Sequence, residues 1–350
     1  MTQFSFMSAL VVFSAVYLRW GMKMLPGEGW QIAAAVPLRK RDDGSWSGVN
    51  LTWYGILTAN AYLVAAILAL VLMGAAGISQ RAVIAIVVLL LVFCVPASRL
   101  VAQLVEKKRN TFTVGGAVFV GTLAVPWIIE LVNRMALGDL GARVPVLAAI
   151  AAIAIAYAFG EGLGRLACVS FGCCYGKPLS TCHPRVARIF SPMALTFTGK
   201  TKKIAYASGL DGVKVLPVQG VTYVLYCAAG LISILLFLRA HYGAAFLIAL
   251  GVTQGWRVIL EFFRDDYRGA GRFSAYQVMG IVSVCYGLWV VQHFGGEQYP
   301  LPELANGFAS LWSPAPLLLL QLLWVVIFLY TGLSRVTAAT MSFHVNTEKV

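Results

Sequence analysis

Two short stretches of this 350-residue chain place charges among apolar neighbours, where charge is expensive. The first reads Gly255-Trp256-Arg257-Val258-Ile259-Leu260-Glu261-Phe262-Phe263-Arg264. Arg257, Glu261 and Arg264 fall at i, i+4 and i+7, which puts them on one helix face, with Val258, Leu260 and Phe262 opposite. One carboxylate between two guanidiniums leaves a net positive charge, suited to a phosphomonoester or phosphodiester. The same triplet could instead tie helices together or snorkel from a helix end. The second stretch is Phe159-Gly160-Glu161-Gly162-Leu163-Gly164-Arg165. Glu161 precedes Arg165 by four residues, the favoured order for a helical ion pair. Gly160, Gly162 and Gly164 remove side-chain bulk, so another backbone or a lipid headgroup can come close. A glycine-rich packing seam with a structural salt bridge is the other reading. Arg99, just past the apolar run 82–97, is a third and weaker case.

Four of the seven cysteines crowd into 15 residues: Cys168, Cys173, Cys174 and Cys182, with His183 beside the last. Such residues could hold zinc. The absence of a C-x2-C pair and the adjacency of Cys173 and Cys174 argue against it, so no metal or other cofactor is expected. A thiolate nucleophile favoured by nearby Arg and Lys is conceivable, as is a disulfide involving Cys182 on an oxidising side. The simplest expectation is that the paired thiols shape a turn and are dispensable for chemistry.

The elements that must position these residues follow from composition. Apolar residues make up 59% and charged residues 12%, half the usual ~25%. The mean hydropathy is +0.79. Soluble, disordered and nucleic-acid-binding classes are excluded, because so few charges cannot cover a water-facing surface. Windows able to cross ~30 Å of hydrocarbon lie near 51–76, 82–105, 113–133, 144–163, 217–238, 243–262, 274–294 and 313–333. No strand alternation is visible in them, so they are read as helices. Residues 4–18 form a shorter apolar stretch without a basic region before it. It is expected to be a short span or interfacial helix that stays in the mature protein. The expected fold class is an all-α polytopic membrane protein. One long connection, 164–216, carries most of the cysteines, and connections of that length are usually functional.

The net charge of +13 suits anionic lipid headgroups better than nucleic acid in such a chain. All but six of the 27 Lys and Arg fall on one side of the predicted spans. The exceptions are Arg81, Arg134, Arg143 and Arg239 on the other side, and Arg99 and Arg257 within spans. The positive-inside rule makes the rich side cytoplasmic, although long loops and phosphate-binding arginines weaken that count.

The stretch Gly164-Arg165-Leu166-Ala167-Cys168-Val169-Ser170-Phe171-Gly172-Cys173-Cys174-Tyr175-Gly176 resembles the signature of the prolipoprotein diacylglyceryl transferase family, in its G-R-x-x-C-x-x-x-G-C-C-Y-G variant. Trp53-Tyr54-Gly55 at the start of a span agrees too, as do Pro217-Val218-Gln219 followed by Tyr223, and the 257–264 stretch ending Glu-Phe-Phe-Arg. Arg99 and Gly115-Gly116 match two weaker positions. The resemblance covers about 50–295. It divides the chain into a short helix and basic loop (1–50), a transferase-like membrane core with its long loop 164–216 (51–295), and an extra membrane helix and tail (296–350).

The resemblance implies a seven-helix core with a lipid-open cavity, here with one or two added helices. It also implies an enzyme that moves a diacylglyceryl group from phosphatidylglycerol to an acceptor, within lipoprotein biosynthesis, in the bacterial cytoplasmic (inner) membrane. Arg165 and Arg257 would grip the phosphate as catalytic residues, with Glu161 as a third and as the candidate base. Glu261 would hold Arg257. Tyr54, Arg99, Arg264, Gly164, Gly172 and Gln219 would complete the lipid site. The family's signature faces the periplasm, opposite to the charge count. This chain departs at four positions: Val114 stands for His, Thr253 for Tyr, Cys168 for Asn and Cys173 for Glu. The phosphate-gripping half is kept and the acceptor-activating half is changed. The implied partners are therefore phosphatidylglycerol or a related anionic phospholipid, the membrane, and an unknown acceptor that need not be a lipoprotein cysteine. The alternative is a non-catalytic lipid-binding or lipid-translocating protein on the same scaffold.

Overall fold

The computed structural model describes residues 2–42, 44, 46–106, 114–135, 143–265, 274–296, 301–334 and 348. Twelve α-helices form the body among them: α1 (Gln3–Met24), α2 (Trp53–Ala75), α3 (Gln80–Glu106), α4 (Val114–Met135), α5 (Val146–Phe171), α6 (Pro184–Phe190), α7 (Lys203–Ser208), α8 (Val218–Phe237), α9 (Tyr242–Leu260), α10 (Ala275–Phe294), α11 (Leu304–Leu311) and α12 (Pro314–Gly332). Nine of these are long and apolar enough to cross a membrane. The chain is an all-α polytopic membrane protein.

The core is organised around α5. Two thirds (67%) of its most apolar window is buried, against 17% for α3 and for α12. Ala148, Ala149, Ala151, Ala152 and Ala158 along it are fully buried. Such small side chains let α2, α8 and α9 pack closely around it. Glu161 and Arg165 do not end this helix, because each neutralises the other one turn apart. It runs on to Phe171, where Gly172 at φ +71° supplies the left-handed cap. A Cβ there would also lie 3.0 Å from Lys202 Cβ.

Three segments depart from the sequence expectation. The first helix spans 22 residues instead of the expected 4–18, capped by Thr2 and continuing past Arg19. The basic loop before α2 is a β-hairpin, β1 (Ile32–Lys40) and β2 (Trp46–Thr52), whose sheet order β1-β2-β5 includes β5 (Leu333–Ser334) after α12. Pro37 and two register shifts break its alternation, which hid it in the sequence. The long connection is organised by short helices and a two-stranded ladder, β3 (Leu195–Thr196) with β4 (Lys214–Val215). The remaining basic residues counted at 107–109, 268, 272, 335 and 349 lie outside the described residues.

Lys202 ties this connection to the helices. It is 0% exposed, and its Nζ donates to Leu25 O (3.1 Å) and Ser170 O (2.7 Å), carbonyls at the C-terminal ends of α1 and α5. Burial pulls its ammonium down to about 8, with Glu28 pulling partly back. The unfolded chain then binds more protons at this site between pH about 8 and about 10.5, so its contribution to stability rises across that window. Thermal unfolding in detergent tests this. The wild-type advantage over Lys202→Met should be smallest near pH 8 and grow toward pH 10, and a pH-independent difference would contradict it.

Candidate active site

Glu161 is the centre of a buried ion cluster. It contacts Arg165 one turn further along α5, and its Oε1 lies 3.6 Å from Nη2 of Arg257 on α9. Arg165 and Arg257 are 8% and 9% exposed. The expected i, i+4, i+7 face is not what forms. Helix α9 ends at Leu260 with Glu261 as its C-cap. The chain then pairs backbone to backbone with the signature loop: Lys177 N donates to Phe263 O (3.0 Å), Asp265 N to Tyr175 O (3.3 Å), and Arg264 bridges Gly176. These bonds replace the last helical turn, so Arg264 leaves the helix and is buried beside the cysteines. Arg257 has a carboxylate partner in Glu161, which the sequence expectation pairs only with Arg165.

Two tyrosines complete the cluster, and the sequence reading missed both. Tyr157, one turn before Glu161, accepts a hydrogen bond from Arg257 Nη2 at 3.1 Å. Tyr226 on α8 lies beside both guanidiniums and donates to Thr253 O at 2.7 Å. A signal existed for the first: Tyr157, Glu161 and Arg165 repeat at four-residue steps on one helix face. Two buried side-chain N–H groups have no partner among the described residues, Arg165 Nε and Gln254 Nε2, the latter one turn before Arg257. The start of α4 covers the cluster. A Cβ on Gly115 would lie 2.6 Å from the Tyr276 ring and 3.3 Å from Arg257 Nη1, so only glycine lets that backbone approach.

The other expected site residues divide. Tyr54 lies beside Glu161 and three cysteines, with its ring 5.8 Å from that of Phe171. Gln219 is buried and donates from Nε2 to Cys173 O at 3.0 Å, fixing the turn after α5. Gly172 is that turn's left-handed residue. Gly164 is not needed for a close approach, since an added Cβ would meet only Ala61 Cβ at 3.9 Å. Arg99 is exposed on α3, outside the buried cluster. Thr253 is fully buried with its hydroxyl on the α9 backbone. The side chain of Val114 lies outside the described residues.

The turn itself gathers Cys168, Cys173 and Cys174, whose Sγ atoms lie within 4.8 Å of one another. Adjacency does not keep the last two apart, because Cys174 takes a left-handed φ of 55°. Cys174 is held well below the usual thiol range by hydrogen bonds from the other two thiols, and further by Arg264 and Arg165. Cys173 is pushed up, because it shares those bonds and is buried. Cys182 is apart, its Sγ on Pro178 O at 3.4 Å, and the described cysteines are all free.

Among the described residues, membrane-length helices thus enclose two buried guanidiniums, a carboxylate that contacts both, and one guanidinium N–H without a partner. The model of the family described as prolipoprotein diacylglyceryl transferase matches residues 45–293, and the chain belongs to that family. The family is one of lipid-modifying transferases, and its reaction is diacylglyceryl transfer to lipoproteins. No curated protein matches the chain.

Proposed function

We propose that this protein transfers the diacylglyceryl group of phosphatidylglycerol, or a close anionic glycerophospholipid, in the bacterial cytoplasmic membrane. The carrying observation is Arg165. It is buried, its Nε has no partner among the described residues, and it shares the one carboxylate of Glu161 with Arg257. A phosphodiester supplies both an acceptor for that N–H and a further negative charge. In the reaction the acceptor attacks the glyceryl carbon bonded to phosphate oxygen. The carbon–oxygen bond breaks, and glycerol phosphate leaves with the electron pair. Arg165 and Arg257 stabilise the charge that grows on the leaving phosphate, in a site where little water screens it. Glu161 spaces the two guanidiniums and is placed to take the acceptor's proton. Tyr54 and Arg264 bound the headgroup end, near the signature turn.

Val114 and Thr253, standing for the family's His and Tyr, favour an acceptor other than a lipoprotein cysteine. They also favour the second reading, a lipid-binding or translocating protein without chemistry. Purified protein in nanodiscs containing headgroup-labelled phosphatidylglycerol should release glycerol phosphate when membranes supplying acceptor are added. Binding without release would support the second reading. Expression in a strain lacking its own diacylglyceryl transferase should rescue growth poorly, and robust rescue would overturn the acceptor claim.

A further inference from the structure

We propose that Cys168, Cys173 and Cys174 form a binding site for one thiophilic closed-shell cation, Zn²⁺ or Cu⁺. Three soft ligand atoms converge within 4.8 Å, and the sulfurs around a bound zinc at ~2.3 Å stand ~4 Å apart. The site therefore needs only a small contraction. Its geometry is built by the backbone. Cys168 comes from the last turn of α5, and its carbonyl accepts the Cys173 N–H at 3.0 Å. Gly172 at φ +71° and Cys174 at φ 55° reverse the chain so that two adjacent thiols face the same point. Gln219 holds the Cys173 carbonyl.

Charge supports the same reading. Three thiolates around a divalent ion carry one net negative charge, and around a monovalent ion two. Arg264 and Arg165 stand next to the thiols to balance it. Binding releases one proton from each thiol that still carries one.

Among the described residues no fourth His, Cys, Asp or Glu joins the group. A tetrahedral ion would keep one coordination position for an outside ligand, as catalytic zinc sites do. Tyr54 and Arg165 stand beside the thiols, so on the donor reading proposed above an outside ligand there would suit the acceptor atom. The O–H or S–H of an acceptor bound there loses its proton to Glu161, and the metal stabilises the resulting anion. The ion would thus do what the missing His and Tyr do not.

The test uses the full-length protein, reduced and purified without chelator. Elemental content should approach one zinc or copper per chain. Titration with Cd²⁺ should give a thiolate-to-metal charge-transfer band that saturates at one equivalent. Cys168→Ser, Cys173→Ser and Cys174→Ser should each lose that band or weaken binding at least tenfold, while Cys182→Ser keeps it. In the wild-type chain, Zn²⁺ should slow alkylation of these three thiols and leave exposed Cys285 unaffected, a readout that needs no variant to fold. Binding that survives all three substitutions, a disulfide between two of the three in fresh protein, or unchanged alkylation would overturn the proposal. Release of glycerol phosphate, measured separately, tests the donor reading, so the two can fail independently.

Discussion

Arg165→Ala and Arg257→Ala should each lower glycerol phosphate release by about 10²–10³-fold, the usual loss on removing one preorganised donor to a developing anion. Both side chains are buried against Glu161, so each truncation removes a contact to the phosphate and also leaves the carboxylate less compensated. The rate must therefore be read on protein that elutes as the wild type does, with lipid binding measured alongside. Arg257→Lys refines the result. It keeps the charge but loses the planar fork that serves Tyr157 and Glu161 together, so it should recover binding more than rate. Full activity in both alanine variants would make these arginines structural ties and leave the lipid reading without support.

Glu161→Gln should be the most destabilising change of similar size in the molecule. It strands two buried guanidiniums next to each other, and breaking a buried ion pair from one side costs about 3–5 kcal/mol. An anion in the site replaces the lost charge. The variant's melting temperature should therefore rise more steeply with added phosphatidylglycerol than the wild type's. An equal response in both proteins, or a response to a neutral lipid of the same chain length, would show that no phosphate sits between Arg165 and Arg257.

The membrane helices were legible because each needs ~20 apolar residues, and composition carries that requirement openly. The charges at 161, 165 and 257 were legible as costly placements. Their arrangement was not. Spacing joined Arg257 to Glu261, because an ideal helix continues by itself. The real helix stops at Leu260, because Tyr175 and Lys177, some 90 residues earlier in the chain, bond to the backbone of Asp265 and Phe263. Glu161 could only be recognised as the shared carboxylate once α5 and α9 were seen side by side. The convergence of the three thiols was not legible for a related reason. Adjacent side chains diverge in extended or helical backbone, and a left-handed φ at a non-glycine residue has no sequence signature. The hairpin was hidden by Pro37 and its irregular register.

The contact between α2 and α12 has a consequence for biosynthesis. Thr52 Oγ1 donates to Gly332 O at 3.0 Å, Trp324 Nε1 donates to Asn60 Oδ1 at 2.8 Å, and β5 pairs with β2. The backbones meet so closely that a Cβ on Gly55 would lie 2.2 Å from Gly332 Cα. The partners Asn60 and Trp324 are 264 residues apart in the chain. At ~5–20 residues per second, the helix that carries Tyr54 waits roughly 13–50 s on the ribosome for its outer neighbour. Through that interval its Gly55 face borders lipid or the insertion machinery, so the wall of the site nearest the thiols is among the last to be braced.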